Sequence, residues 1–477
     1  MTPILGSTVG GSVGVGHGVG HGVGQGGTIL AHGIGGRGDL PVPFSLALAG
    51  AAAALVVSFV ILAWSWPAPR FDNRETGRVL PLALTRVVDA GVFRLALRVL
   101  GLLATAYVGV AAIFGPDLLV NPTFGVVYVL LWVGLVPLSV VFGPVWRYLN
   151  PLRPLHLLLA RLLQVPPVEG LIPLPARLGA WPAAVGLFAF VWLELVAPDA
   201  TSLAVLRMWV TAYVVLSLLL AVVYGARWFD RGDPFEAYST LFGHLSPFAR
   251  RPSDGRLVLR NPLAHLAGLG TGPGSVAVVA ILLGSTAYDG FSQSTTWIGF
   301  VQGSGIPEVL AGTGALAGSI LVAAGSFWLA TVLAGGLAGG GASERTSSAP
   351  RLRSELPGAF AGSVVPIVLG YLIAHYFTLL VLEGQQTFIY LSDPLANGAN
   401  LLGLAGRDVD PSLANNPQLV AGVKVGAVVV GHVLGVIAAH DRAVALFPRR
   451  TALLGQIPLL VVMVCYTLAG LTLLFAT

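Results

Sequence analysis

The chain reads as an all-α polytopic transmembrane bundle of about ten helices, and three observations predict this. Of its 477 residues, 55% are hydrophobic and only 10% charged, too few charges to cover a soluble protein of this size. Apolar runs of about 20 residues recur along the chain, each long enough to cross roughly 30 Å of hydrocarbon. Basic residues collect in alternate loops, as the positive-inside rule requires of a protein threaded back and forth through a bilayer. The mean hydropathy is +0.83.

The apolar segments fall at 43–66, 95–115, 123–143, 180–197, 204–226, 273–290, 314–339, 357–382, 419–440 and 453–476. Counting loops from the first segment, the odd-numbered loops and their edges carry 22 of the 26 basic residues. Arg37, Arg207, Arg407 and Lys424 alone remain for the other side. The odd loops are therefore expected in the cytoplasm and both termini outside, in the cell membrane. A cysteine at Asn415, in a Cys465→Ala background, is expected to react with a membrane-impermeant thiol reagent from outside, and one at Ser347 to stay unlabelled; the reverse pattern would invert every depth given below.

Residues 1–40 form a separate Gly/His-rich tail and 41–477 a single transmembrane domain. The stretch "VGHGVGHGVGQGG" holds His17 and His21 in low-complexity glycine, open between a flexible tail and a weak metal-binding tract. It lacks the basic start and continuous apolar core of a signal peptide. One cysteine, Cys465, excludes an internal disulfide. The net charge of +5 follows from orientation in the bilayer, and no nucleic-acid partner is expected.

Two loops predict helices near the membrane surface, at 154–164 and 233–247. In the first, Pro154 suits an opening helical position. In the second, Asp233 is placed to cap, Pro234 to start, and Glu236 to sit three residues after the cap. Phe235, Tyr238, Leu241, Phe242 and Leu245 then share one face, open between the lipid headgroups and the protein's own surface. His156, His244 and His265 read as loop surface. In the ninth segment Gly422 and Gly426, and Gly431 and Gly435, recur at four-residue spacing, which lets helices approach closely on two faces.

Charged and ionisable residues at membrane depth are expensive and so are either paired or used. Glu194, Arg207, Asp289 and Glu383 fall near the outer ends of their segments. Lys424, His375 and His432 lie roughly 8, 12 and 19 Å below the outer edge at 1.5 Å per residue. An outward-facing polar cavity between the eighth and ninth helices would gather them. His375 and His432 would converge, Glu383 and Lys424 would form the rim, and the following loop would supply Asp393 or Asn400. The alternative for each is a plain structural contact, such as ion pairs of Glu194 with Arg207 or of Glu383 with Lys424. No Walker loop, H-E-x-x-H or G-x-S-x-G occurs, so ATP-driven transport by this chain alone is not expected.

The stretches "AHGIGGRGDLPVP", "FGPVWRYLNPLRPL", "WPAAVGLFAFVWLELVAPD", "DGRLVLRNPLAHL", "GSTAYDGFS" and "GHVLGVIAAHDRA" resemble a family of multi-pass membrane proteins that carry the name fenitrothion hydrolase. The likeness runs from about residue 30 to the C-terminus. In that family the His-Gly element follows a signal peptide, which implies that His32 is outside; here a glycine-histidine tail stands in the signal's place. The resemblance implies an organophosphate or ester hydrolase. A divalent metal held by His375 and His432, with Glu383 and Asp393 as catalytic carboxylates, would then activate a water. Two further readings stand beside it: a transporter of a small solute, ion or metal that uses the same residues, and a non-catalytic subunit of a membrane complex.

Overall fold

The computed structural model describes residues 34–71, 75–270, 272–338 and 353–475. His17, His21, His32 and Ser347 lie outside them. Among the described residues, ten helices are long and apolar enough to cross a membrane. They are, in order, Phe44–Ser65, Gly91–Phe114, Pro122–Phe142, Ala176–Leu195, Leu203–Tyr224, Ser275–Ser292, Glu308–Leu337, Leu356–Leu391, Pro417–Leu446 and Ala452–Leu474, here called the first to tenth spans.

The eighth span is the centre of the bundle. Its most apolar stretch is 72% buried, against 11% for the second span at the edge. It runs 36 residues, about 54 Å at 1.5 Å per residue. The expected end at 382 is therefore nine residues short. The polar run "EGQQ" looked like a boundary, but polar side chains do not stop a helix. Termination waits for Ser392, Asp393 and Pro394. Pro366 sits inside this helix and removes one hydrogen bond from its ladder.

The ninth span crosses the eighth on glycine. A Cβ on Gly431 would lie 2.6 Å from the Pro366 carbonyl oxygen, and one on Gly435 would lie 2.9 Å from that of Ser363. Around Gly422 and Gly426 nothing lies within 4 Å. Close approach thus occurs at one glycine pair and not at the other. Gly431→Ala should lower stability by about 1–3 kcal/mol through overpacking, while Gly422→Ala should stay within about 0.5 kcal/mol. Thermal unfolding of the two variants in one detergent checks this, and equal melting temperatures would contradict the packing.

The third span is wound with i→i+5 hydrogen bonds over Gly125–Gly134, a ten-residue π-helical stretch. Such winding is rare beyond a single turn and gathers at functional places. Nothing in the apolar periodicity announces it.

The helix expected at 233–247 starts where predicted but ends four residues early, as Pro234–Gly243. Asp233 Oδ1 accepts from Glu236 N at 2.8 Å, and Pro234 takes the first helical position. Its apolar face, however, meets protein. Phe235, Tyr238 and Phe242 are at most 1% exposed. Tyr238 stacks on Trp132 of the third span at 4.8 Å, and Phe235 meets Phe190 of the fourth at 5.2 Å. The helix is an inserted core element and not one lying in the headgroups. The helix expected at 154–164 begins two residues earlier, at Leu152–Leu162. It turns Leu155, Leu158 and Leu162 outward and buries Leu152, His156 and Ala160.

Three short strands tie the loop after the first span to the loop after the fifth. The antiparallel order is β1 (Arg78–Val79), β3 (Leu257–Leu259), β2 (Phe248–Arg250), with Arg78 opposite Leu259 and Ala249 opposite Val258.

Candidate functional site

Asp289 stands three residues before the end of the sixth span, where small residues let the eighth span come close. A Cβ on Gly290 would lie 3.3 Å from the Tyr371 hydroxyl. Two neighbours in the eighth span close on one carboxylate oxygen. His375 Nε2 lies 2.8 Å from Asp289 Oδ2, and the Tyr376 hydroxyl donates to the same atom at 2.7 Å. Gln293 Nε2 donates to the other oxygen at 3.2 Å. The Tyr371 ring lies parallel to that of His375 at 6.1 Å. Asp289, His375 and Tyr376 are 7%, 8% and 2% exposed, so the cluster is shut inside the bundle.

Glu194 of the fourth span adds a second acid. Its Oε2 is buried with no hydrogen-bond partner among the described residues. It lies within electrostatic range of Asp289 and of the phenols of Tyr128, Tyr238 and Tyr376. Its expected ion pair with Arg207 does not form. Arg207 is exposed and donates through Nε to Leu203 O of its own helix at 3.0 Å. A long side chain on a lipid- or solvent-facing side finds its own backbone sooner than a buried acid on another span.

The other expected members are elsewhere. His432 is 1% exposed; its Nδ1 lies 2.8 Å from Val428 O one turn back, and its Nε2 is buried without a partner among the described residues. Gly431 rests on Pro366 and Gly370. His432 thus lies level with that crossing, while His375 is five residues beyond Gly370, roughly 8 Å along the helix. The two imidazoles serve different partners and do not converge. Lys424 Nζ donates to Ile34 O at 2.8 Å and to Gly35 O at 3.3 Å, and lies 5.8 Å from the Phe475 ring. It anchors the chain entering the first span and does not pair with Glu383. That partner was out of reach of sequence reasoning because it lies 390 positions away.

Glu383 is half-buried within the eighth helix, and no hydrogen bond reaches its carboxylate among the described residues. Asp393 is occupied: its two oxygens accept from Asn397 N at 3.0 Å and Gly398 N at 2.8 Å, closing a turn in which Ala396 and Gly398 have positive φ. Asn400 Oδ1 likewise holds the loop through Ser392 Oγ and Ala405 N. His375, His432, Glu383 and Asp393 therefore do not fit one metal ion. No group of three or more His, Cys, Asp and Glu side chains among the described residues could hold one.

The other described histidines make structural contacts. His440 bridges Gln456 Oε1 and Trp66 O, while the adjacent Asp441 takes Trp66 Nε1 and the amides of Arg70 and Phe71. Together they pin the loop after the first span. His156 was read as surface but is 2% exposed, with Nε2 3.0 Å from Pro167 O. His244 and His265 face each other at 5.1 Å. Burial and then the neighbouring His244 hold the His265 imidazole below its ordinary value, at about 4.

The residues that sequence reasoning missed are Tyr376, Gln293 and the aromatic wall of Tyr128, Trp132 and Tyr238. In "AHYF" the tyrosine was absorbed into an apolar run. An ionisable residue flanked by tyrosine in both "AYDGF" and "AHYF" was the available signal. Comparison with known proteins gives no match to a family model, to a curated protein or to a solved structure.

Proposed function

We propose that this chain is a proton-coupled transport protein of the cell membrane, with Asp289, His375, Tyr376 and Glu194 as its proton-exchanging site. The observation that carries this reading is the single oxygen, Asp289 Oδ2, shared by His375 and Tyr376 beside the unpartnered oxygen of Glu194. Hydrogen bonds to an ionised carboxylate are stronger than those to a neutral one. A proton arriving on Asp289 loosens its hold on both partners. Asp289 belongs to the sixth span and its two partners to the eighth, so protonation alters how these helices hold together. The eighth span has the latitude to respond, with Pro366 interrupting its ladder and glycine at its crossing with the ninth. Buried ionisable residues in membrane spans commonly mark proton and ion pathways. The hydrolase expectation rests on a metal-activated water, and the four residues offered for that metal stand apart, so no hydrolytic step is drawn through them.

The test uses the full-length protein in liposomes adsorbed on a conducting surface. A jump in external pH should displace charge as protons enter the site, and this signal should be absent in protein-free vesicles. Equal currents with and without protein would overturn the reading.

A further inference from the structure

A groove of about 440 Å³ lies on the arginine-rich side of the molecule, at the edge of the three-stranded sheet. Arg78, Val79, Leu80, Pro81, Arg256 and Leu259 line it. Two of the six are cations and none is an acid. The Arg78 side chain is exposed and has no polar partner among the described residues. Arg256 is tethered through Nη2 to Leu80 O at 3.1 Å, and its Nε has no partner among the described residues. Described carboxylates nearby are already engaged: Glu75 by Ser253, Asp89 by Arg94 and Arg250, and Asp254 by Arg251.

We infer that this groove binds the phosphate headgroup of an anionic phospholipid. A phosphate-bearing anion is the shared chemistry, since two guanidiniums match its oxygens. The surroundings select the lipid over a free ion. The other four lining residues are apolar. The groove runs straight into the helix Leu82–Asp89, which exposes Leu82, Leu84 and Val87, and then into the second span, where Val92 is 80% exposed. That apolar surface lies where acyl chains begin, and the arginines lie where headgroups sit. The site is independent of the transport reading, because none of its residues touches the Asp289 cluster.

The experiment is native mass spectrometry of the full-length protein released from neutral detergent and titrated with phosphatidylglycerol or phosphatidylcholine. The wild type should retain phosphatidylglycerol roughly thirtyfold more tightly, as two arginines near a headgroup imply. Arg78→Gln combined with Arg256→Gln should erase that preference, and Arg207→Gln, an exposed arginine on the other side, should keep it. Arg78→Gln alone should remove part of the preference, and serves if loss of the Leu80 tether unfolds the double variant. Equal retention of the two lipids by the wild type, or an unchanged preference in the folded variants, would overturn the inference. Displacement of phosphatidylglycerol by an equal concentration of inorganic phosphate would assign the groove to a free anion and overturn the lipid assignment.

Discussion

Asp289→Asn should reduce the pH-driven charge displacement to the level of protein-free vesicles while leaving the protein folded in the membrane. The amide is nearly isosteric, so it still fills the space between the sixth and eighth spans, and its oxygen still accepts from His375 and Tyr376. It cannot take up a proton at any working pH. Gln293, which donates to the other oxygen, then faces an NH2 group and loses its acceptor, which costs about 1–3 kcal/mol of stability, so a modest fall in melting temperature accompanies the loss. His375→Ala and Tyr376→Phe keep the acid and should reduce the signal and shift its pH dependence. Adding either to Asp289→Asn should cost nothing further in charge displacement, because groups that act as a unit fail together. His432→Ala is the control. Its imidazole bonds only Val428 O among the described residues and lies at another level of the bundle, so its signal should match the wild type. Full charge displacement in folded Asp289→Asn, or its loss in His432→Ala, would contradict the site as built.

The ten spans were legible because hydrocarbon thickness and arginine placement act on every segment alike, and the spacing of apolar runs records both. Local devices were legible too. Asp233, Pro234 and Glu236 announce a helix start, and the structure has it there. Burial of that helix was not legible. A face of Phe235, Tyr238 and Leu241 satisfies lipid and protein equally, and only the aromatic partners Trp132 and Phe190 decide between them. The polar cluster was half legible. Cost at membrane depth singled out Glu194, Asp289 and His375, but depth along a helix says nothing about azimuth or neighbours. The eighth and ninth spans are adjacent in sequence, which favoured pairing His375 with His432. The partner of His375 lies 86 residues upstream in the sixth span. Lys424 misled for the same reason, since backbone carbonyls of an entering chain leave no mark on a charge pattern.

Asp233→Ala should be among the most destabilising single substitutions in the protein, on the order of 3–7 kcal/mol. The helix cap accounts for about 1 kcal/mol of this. The remainder comes from two side chains that share its other oxygen. Tyr213 of the fifth span donates to Asp233 Oδ2 at 2.7 Å, and Asn150 Nδ2 donates to it at 3.0 Å. Asn150 Oδ1 in turn accepts from Leu152 N at 2.9 Å, at the first residue of the helix Leu152–Leu162. Arg153 on that helix pairs with Glu236. Asp233 thus joins the starts of two helices to a span, and both it and Asn150 are fully buried. Burial raises the Asp233 carboxyl pKa, and hydrogen bonds from Glu236 N, Tyr213 and Asn150 pull it back. Alanine leaves the tyrosine hydroxyl and the asparagine amide without that acceptor in the interior, at roughly 1–3 kcal/mol each. Asp233→Asn can turn its one amide oxygen toward Tyr213 and Asn150, which gives up only the cap, and should then lose less than half as much. Hydrogen exchange should then accelerate in Asp233→Ala over both helices, 152–162 and 234–243, and not over the second alone. A change confined to 234–243, with a melting temperature close to wild type, would reduce Asp233 to a simple cap and break the proposed junction.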